Sequence, residues 1–257
     1  MISGMQMFCS EFLGTALMMA IAFMVAASRS LPKTGAYRAD WINASLGWGL
    51  AVYVGVYVGW RTGGHLNPAV TLARVVGHWI DPQATLNGLA MGKGGIPVTL
   101  ANVAIFISAQ FLGAFFGTCL GYLGTRKHFE LPTDTDTKLM VFCTKPAIRS
   151  NFWNLTSEAI GTGILVTWVF LNGGGTPTQV GPLGVALVIT VLVMALGGVS
   201  GAAMNPARDF SARLAYCLLP MSGRKNADWS YAWIPFVGPI VGACIGVLVP
   251  AWMGLLP

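Results

Sequence analysis

The feature that most restricts this chain is a tripeptide that occurs twice. Asn67-Pro68-Ala69 lies in Gly63-Gly64-His65-Leu66-Asn67-Pro68-Ala69-Val70, and Asn205-Pro206-Ala207 lies in Gly201-Ala202-Ala203-Met204-Asn205-Pro206-Ala207-Arg208. A glycine-led run precedes each copy and an apolar helical pattern follows it. Asn is a strong N-cap, and Pro suits the first helical position because the N–H it lacks would be unpaired there. Each triplet therefore reads as a helix start. The helices that follow are short, from 68 to about 77 and from 206 to about 216. Spanning a bilayer takes roughly 20 apolar residues, whereas about 10–14 suit a re-entrant or buried segment. Two half-spanning helices at matching places in two halves point to a pathway through a membrane.

Composition agrees. Hydrophobic residues are 54% of the chain and charged residues 9%, which excludes a disordered chain and argues against an ordinary soluble domain. The net charge of +6 falls mostly in loops. It reads as solvated surface or lipid-headgroup contact, and no basic motif with interleaved aromatics suggests nucleic acid. Cys9, Cys119, Cys143, Cys217 and Cys244 are odd in number and lack metal-ligand spacing, so they read as packing residues. No metal or cofactor is expected. The first apolar run is long and has no basic start, so it reads as a membrane helix and not a cleavable signal.

Full apolar spans are expected over 7–27, 41–59, 98–122, 152–171, 181–198 and 232–252, with the half-helices after the second and fifth. The polar stretch 125–150 joins the halves, and the loop 172–179 is uncharged and rich in Gly and Thr. The halves repeat. Ser10-Glu11-Phe12-Leu13-Gly14-Thr15 matches Ser157-Glu158-Ala159-Ile160-Gly161-Thr162, and Gln110-Phe111-Leu112-Gly113 matches Pro235-Phe236-Val237-Gly238. Three spans per half is an odd number, so the second copy enters from the opposite face, an inverted repeat. We expect an all-α membrane protein of six transmembrane helices and two re-entrant half-helices. One channel domain covers 1–257, with a first repeat of about 1–124, a linker of about 125–150 and a second repeat of about 151–257. The half-helices then meet N-terminus to N-terminus near the midplane.

Glu11 and Glu158 take equivalent places in spans one and four. An intramembrane carboxylate is a functional candidate by default. It could titrate in a proton relay, or accept hydrogen bonds from the irregular backbone before each half-helix. Its repetition in both halves favours the second role. Arg208 follows the second triplet where Val70 follows the first, although a cation in the first turn opposes the helix dipole. It reads as a guanidinium on the pathway rather than one spent on Asp209. His65 has Ala203 as its counterpart and reads as a loop residue offering its carbonyl, while His78 and His128 read as loop residues.

Ser10-Glu11-Phe12-Leu13-Gly14-Thr15, Gly64-His65-Leu66-Asn67-Pro68-Ala69-Val70-Thr71 and Met204-Asn205-Pro206-Ala207-Arg208-Asp209 together resemble the aquaporin and aquaglyceroporin family over nearly the whole chain. The resemblance implies a channel without enzyme chemistry, passing water or small neutral solutes, assembled as a homotetramer with one pore per subunit. It implies the plasma membrane, with both termini cytoplasmic. The charges alone imply the reverse orientation, since Lys and Arg cluster in 29–38, 126–149 and 224–225, on the side the family places outside. Asp209 after Arg208, and Trp48 in Gly47-Trp48-Gly49-Leu50, are similar to glycerol facilitators. The selectivity filter implied is Trp48, Val193, Ala202 and Arg208. Val193 and Ala202 depart from the Gly and aromatic of bacterial facilitators and are more similar to plant nodulin-like channels. Trp48 lies one residue nearer Asn67 than usual; a deletion near Trp60–Thr62 keeps Trp48 in the filter, and one inside span two would put Gly47 there.

In mechanism, each Asn side chain caps its own half-helix and keeps N–H donors for the pore. Carbonyls of Gly63, Gly64 and His65, and of Gly201, Ala202 and Ala203, form a ladder of acceptors. The converging helix N-termini and Arg208 repel cations and protons. A glycerol channel that also passes water is the reading favoured. The alternatives are a water-selective channel, an inverted-repeat secondary transporter needing further titratable groups, and a structural membrane protein with a closed pore.

Overall fold

The computed structural model describes residues 2–89, 93–172 and 180–255. Among these there are nine α-helices and no strand. In chain order they are α1 (Gly4–Ser30), α2 (Trp41–Val58), α3 (Pro68–Ile80), α4 (Leu100–Phe129), α5 (Thr135–Phe142), α6 (Asn151–Asn172), α7 (Pro182–Leu196), α8 (Pro206–Leu218) and α9 (Ile234–Trp252). The six expected spans correspond to α1, α2, α4, α6, α7 and α9, and the two half-helices to α3 and α8. Five of the six spans are long and apolar enough to cross a bilayer. The sixth, α7, has 15 residues; its ~22 Å falls short of a ~30 Å hydrocarbon core, and the turn over residues 197–200 continues it.

Several boundaries differ from the apolar pattern. The half-helices run to Ile80 and Leu218, beyond the expected ends. The third span continues seven residues past Tyr122 to Phe129, because the basic Arg126, Lys127 and His128 of its last turn favour the negative helix end. Apolarity stops at the membrane surface, whereas the helix does not. His78 and His128 thus lie inside α3 and α4, not in loops, and each ring Nδ1 meets a backbone carbonyl, of Ala84 and Pro32 respectively. The joining stretch also contains α5, whose start is capped by Asp134 accepting from the Thr137 N–H at 2.9 Å. Its Phe142 is buried among Phe23, Phe129 and Tyr216. Beyond Asn172, the uncharged 172–179 loop lies outside the described residues.

Glycines let the long helices approach closely, and in matching order. A Cβ at Gly117 of α4 would lie 2.2 Å from the Ala16 carbonyl oxygen of α1, and one at Gly242 of α9 would lie 2.1 Å from that of Ala159 in α6. Small residues at such crossings give membrane helices the packing that a hydrophobic effect between them cannot supply. Large apolar side chains such as Leu13, Leu120, Ile160, Val191 and Leu248 are exposed on the outside. The centre instead holds polar side chains, including Glu11, Gln110, Glu158, Asp209 and Arg213. This reversal suits a lipid surround.

Candidate functional site: a central cavity between two helix N-termini

The loops before α3 and α8 share one backbone trace. Gly63 and Gly201 have φ of 88° and 96°, Gly64 and Ala202 of 58° and 45°, and Leu66 and Met204 of 53° and 47°. Left-handed φ is natural for glycine and strained for Ala202, Leu66 and Met204, so other bonds must hold these residues. The two glutamates supply them. Glu11 is fully buried and accepts from the His65 N–H at 3.1 Å, the Leu66 N–H at 2.8 Å, the Thr62 hydroxyl at 2.6 Å and the Gln110 amide at 2.7 Å. Glu158 accepts from the Ala203 N–H at 3.0 Å, the Met204 N–H at 2.8 Å and the Ser200 hydroxyl at 2.7 Å. Each carboxylate thus takes two backbone N–H groups that could find no water in a membrane.

The turned backbone brings the two triplets face to face. Asn67 Oδ1 accepts from the Ala69 N–H at 2.9 Å, and Asn205 Oδ1 from the Arg208 N–H at 3.1 Å, so each caps its own helix. Asn67 Nδ2 then donates to the Met204 carbonyl at 2.7 Å, and Asn205 Nδ2 to the Leu66 carbonyl at 2.8 Å. Each strained residue offers its carbonyl to the asparagine of the other half. One of the two N–H groups on each amide is spent on this cross-link, leaving one where the motif alone suggested two. The helix N-termini converge here, with their partial positive charges.

Beside this junction runs a cavity of about 340 Å³. Of the residues singled out by sequence, Trp48, Gly63, Gly64, His65, Asn67, Val193, Ala202, Ala203, Asn205 and Arg208 line it. Gly201 is not on its wall; it is pressed against Thr144, which a Cβ would meet at 2.5 Å. Pro68, Ala69, Pro206, Ala207, Glu11 and Glu158 are buried behind the wall. Among the described residues no hydrogen bond ends on the carbonyls of Gly63, Gly64, His65, Gly201, Ala202 or Ala203.

At one level of the cavity the Arg208 guanidinium lies 4.3 Å over the Trp48 ring. Helix α2 is continuous through Trp48, and the irregularity near Trp60–Thr62 is a 3-10 turn. Gly47 faces α1 instead, where a Cβ would meet Val25 at 2.4 Å. The Val193 carbonyl accepts from the Trp41 indole at 3.0 Å. Arg208 donates to the Phe142 carbonyl at 3.4 Å, so α5 helps to place it. Its contact with Asp209 is long, at 3.9 Å, because Asp209 is committed to Arg213 at 2.5 Å and to the backbone and hydroxyl of Thr144, both at 2.7 Å. The His65 ring is also held, with Nδ1 3.0 Å from the Thr71 hydroxyl and Nε2 2.7 Å from the Leu86 carbonyl.

Sequence reasoning missed Thr62, Ser200, Gln110, Thr144 and Arg213. Thr62 and Ser200 were within reach, since a hydroxyl residue precedes Gly63 and Gly201 alike. The partners of Gln110 and Arg213 come from distant segments that no local pattern marks.

A helical bundle with an apolar exterior, two opposed half-helices and a lined central cavity is a membrane channel by architecture. The major intrinsic protein family model matches residues 1–250. The chain therefore belongs to the major intrinsic protein family, whose members are channels and not enzymes. It is 39% identical over 251 residues to a probable glycerol uptake facilitator protein of Thermotoga maritima, covering 97% of this chain and 100% of the relative. It is 40% identical over 241 residues to a glycerol uptake facilitator protein of Streptococcus pneumoniae, covering 93% and 95%. The solved structure of the aquaglyceroporin from Plasmodium falciparum is similar with a TM-score of 0.74 and 28% identity, covering 97% of this chain and 96% of that one. The fold is that of the aquaporins.

Proposed function

We propose that this protein is a passive channel for glycerol and other small neutral solutes, with water passing alongside. The observation that carries the reading is the Trp48–Arg208 pair on the cavity wall, 4.3 Å apart, with Val193 and Ala202 lining the same cavity. Trp48 offers an apolar face for a carbon chain, and Arg208 offers donors to hydroxyls. The unpaired carbonyls of the two loops then serve as successive acceptors, and the free N–H on Asn67 and Asn205 marks the centre. Names of the relatives support the same solute. Glu11 and Glu158 act as loop supports and not as proton carriers, because fixed donors hold Glu11 with four bonds and Glu158 with three. Cations and protons are excluded by the converging helix N-termini and by Arg208.

The chain acts as one channel domain of two inverted repeats, about 1–124 and 151–257, joined through about 125–150, and as a homotetramer in the plasma membrane with both termini cytoplasmic. A cysteine placed by Asp134→Cys then labels from outside the cell only; labelling only from the cytoplasm would reverse the orientation.

Osmotic light scattering of proteoliposomes tests the solute. Wild type is expected to conduct glycerol and water, and Val193→His to lose glycerol flux preferentially, because a histidine there narrows the ring and makes it polar. Rapid water flux without glycerol flux in wild type would make this a water channel.

A further inference from the structure

The described cavity wall carries two guanidinium groups, of Arg208 and Arg74, and the doubled motif does not account for the second. Counted from the two asparagines, Arg74 corresponds to Ala212, so the repeat does not generate it. It projects from α3 onto the cavity wall and stacks over the Phe170 ring of α6 at 4.6 Å. Its Nε is buried without a hydrogen-bond partner, and it has no ion pair among the described residues. Among the described residues no carboxylate lines the cavity. Gly88 packs beside the guanidinium, where a Cβ would sit in ordinary contact 3.6 Å from Nη2 and 3.7 Å from Nη1, and Arg74 itself lines the cavity.

A desolvated guanidinium with unused donors is costly, and a ligand with oxygen acceptors removes part of that cost. The surroundings decide which ligand. Arg74 lies toward the end of the cavity lined by Trp60, Trp168 and Pro182, opposite the Trp48–Arg208 level, as the directions of α2, α3, α6 and α7 require. Arg208 and Arg74 are the only charged side chains on the described wall, and they stand at different levels. A lone guanidinium among aromatic rings is poor at holding a multiply charged anion, but it suits a neutral molecule with paired hydroxyls and an apolar carbon edge. As with Arg208 over Trp48, the cation stacks on a ring, at 4.6 Å instead of 4.3 Å; here Phe170 lies behind the wall, and Trp60 and Trp168 are the aromatic residues on the wall itself.

We propose that Arg74, stacked on Phe170 and sharing the cavity wall with Trp60 and Trp168, forms a second polyol-binding station at the mouth opposite the Trp48–Arg208 constriction. Vicinal hydroxyls of the solute accept from the guanidinium edge, and its carbons lie along the tryptophans. A polyol leaving or entering at this mouth exchanges water for protein donors in one step. The inference rests on the glycerol reading above.

Glycerol and water permeabilities of proteoliposomes carrying wild type, Arg74→Leu and Arg74→Gln test it. Arg74→Leu should lower glycerol permeability about fivefold, the worth of roughly one net hydrogen bond, while water permeability stays within about twofold. Retained water flux also shows that the variant folds. Arg74→Gln, which keeps amide donors without charge, should hold most of the glycerol flux. Equal glycerol flux in wild type and Arg74→Leu, or glycerol and water falling together, overturns the station. So does block of wild-type flux by inorganic phosphate that disappears in Arg74→Leu, since that defines an anion site. Absence of glycerol flux in wild type would overturn the glycerol reading itself and the station with it.

Discussion

The two loops before the half-helices have the same backbone and the same carboxylate beneath them, yet the rest of their support differs. Under the first loop, Glu11 takes a fourth donor from Gln110, which also donates to Thr71 at 2.9 Å. Thr71 in turn meets the His65 ring, so a continuous polar network backs this loop inside the bundle. Under the second loop no side-chain amide among the described residues donates to Glu158; Gly238 of α9 packs there, and a Cβ would meet the Glu158 Cβ at 2.7 Å. The second loop is tied instead from its outer side. The Tyr231 hydroxyl donates to the Ser200 carbonyl at 3.2 Å, and Arg213 joins Asp209 to the carbonyls of Thr144 and Ala227, both at 2.6 Å. Identical backbone strain can thus be carried by an internal amide network or by a buried ion pair near the surface. The second arrangement also draws Asp209 away from Arg208 and leaves that cation facing the cavity.

The largest expected effect comes from removing either carboxylate. Glu11→Leu or Glu158→Leu leaves two buried N–H groups without acceptors, at about 1–3 kcal/mol each. Both variants should lose flux and misfold in the adjoining loop; normal folding and flux in Glu158→Leu would refute the support role. Next in size is Asp209→Ala, which strands the fully buried Arg213. Breaking a buried pair on one side costs about 3–5 kcal/mol. Thermal unfolding in detergent should show the loss, and an unchanged midpoint would mean that the ion pair does not hold the second loop.

A subtler contrast separates the halves. In Glu11→Gln the new amide can donate to Gln110 Oε1, a buried oxygen that has no partner in the wild type. In Glu158→Gln the amide faces the Met204 N–H, and the oxygen within reach is the Ser200 hydroxyl, which already accepts from the Ala202 N–H at 3.2 Å. Glycerol flux should therefore survive better in Glu11→Gln, and the opposite order would show that Gln110 plays no such part.

The smallest effect concerns the outer ties. Arg149 donates to both Asp228 carboxylate oxygens at 2.9 Å, across the surface loop that also feeds Arg213. Burial alone would raise the Asp228 carboxyl, but bonds from Arg149 and Ser230 outweigh it and hold the group below its ordinary value of 3.8. A depressed carboxyl stabilises the fold above that ordinary value and loses its contribution as pH falls through the folded one. Arg149→Gln should cost at most about 1 kcal/mol at neutral pH, as exposed pairs do. The gap between variant and wild type should close on acidification below the ordinary value. A gap that persists in strong acid would assign the effect to packing.

The helical spans, the two helix starts and their pairing are legible in the order of amino acids alone. Caps and apolar runs are local, and an inverted repeat shows in matching words such as Ser10-Glu11 and Ser157-Glu158. The order of residues also marks the part of the cavity wall nearest the junction, because residues within a few places of each Asn must lie there. Which groups hold those residues in place is set by the packing of distant segments. Gln110 beneath Glu11, Thr144 beside Asp209, Phe142 at Arg208 and Phe170 under Arg74 are each brought from another helix or loop. Helix α5 escaped notice because polarity in 125–150 looked like a loop, although Asp134 caps a helix there. Local chemistry fixes where a helix starts; which side chain meets an unpaired donor or a bare guanidinium depends on how helices far apart in sequence cross.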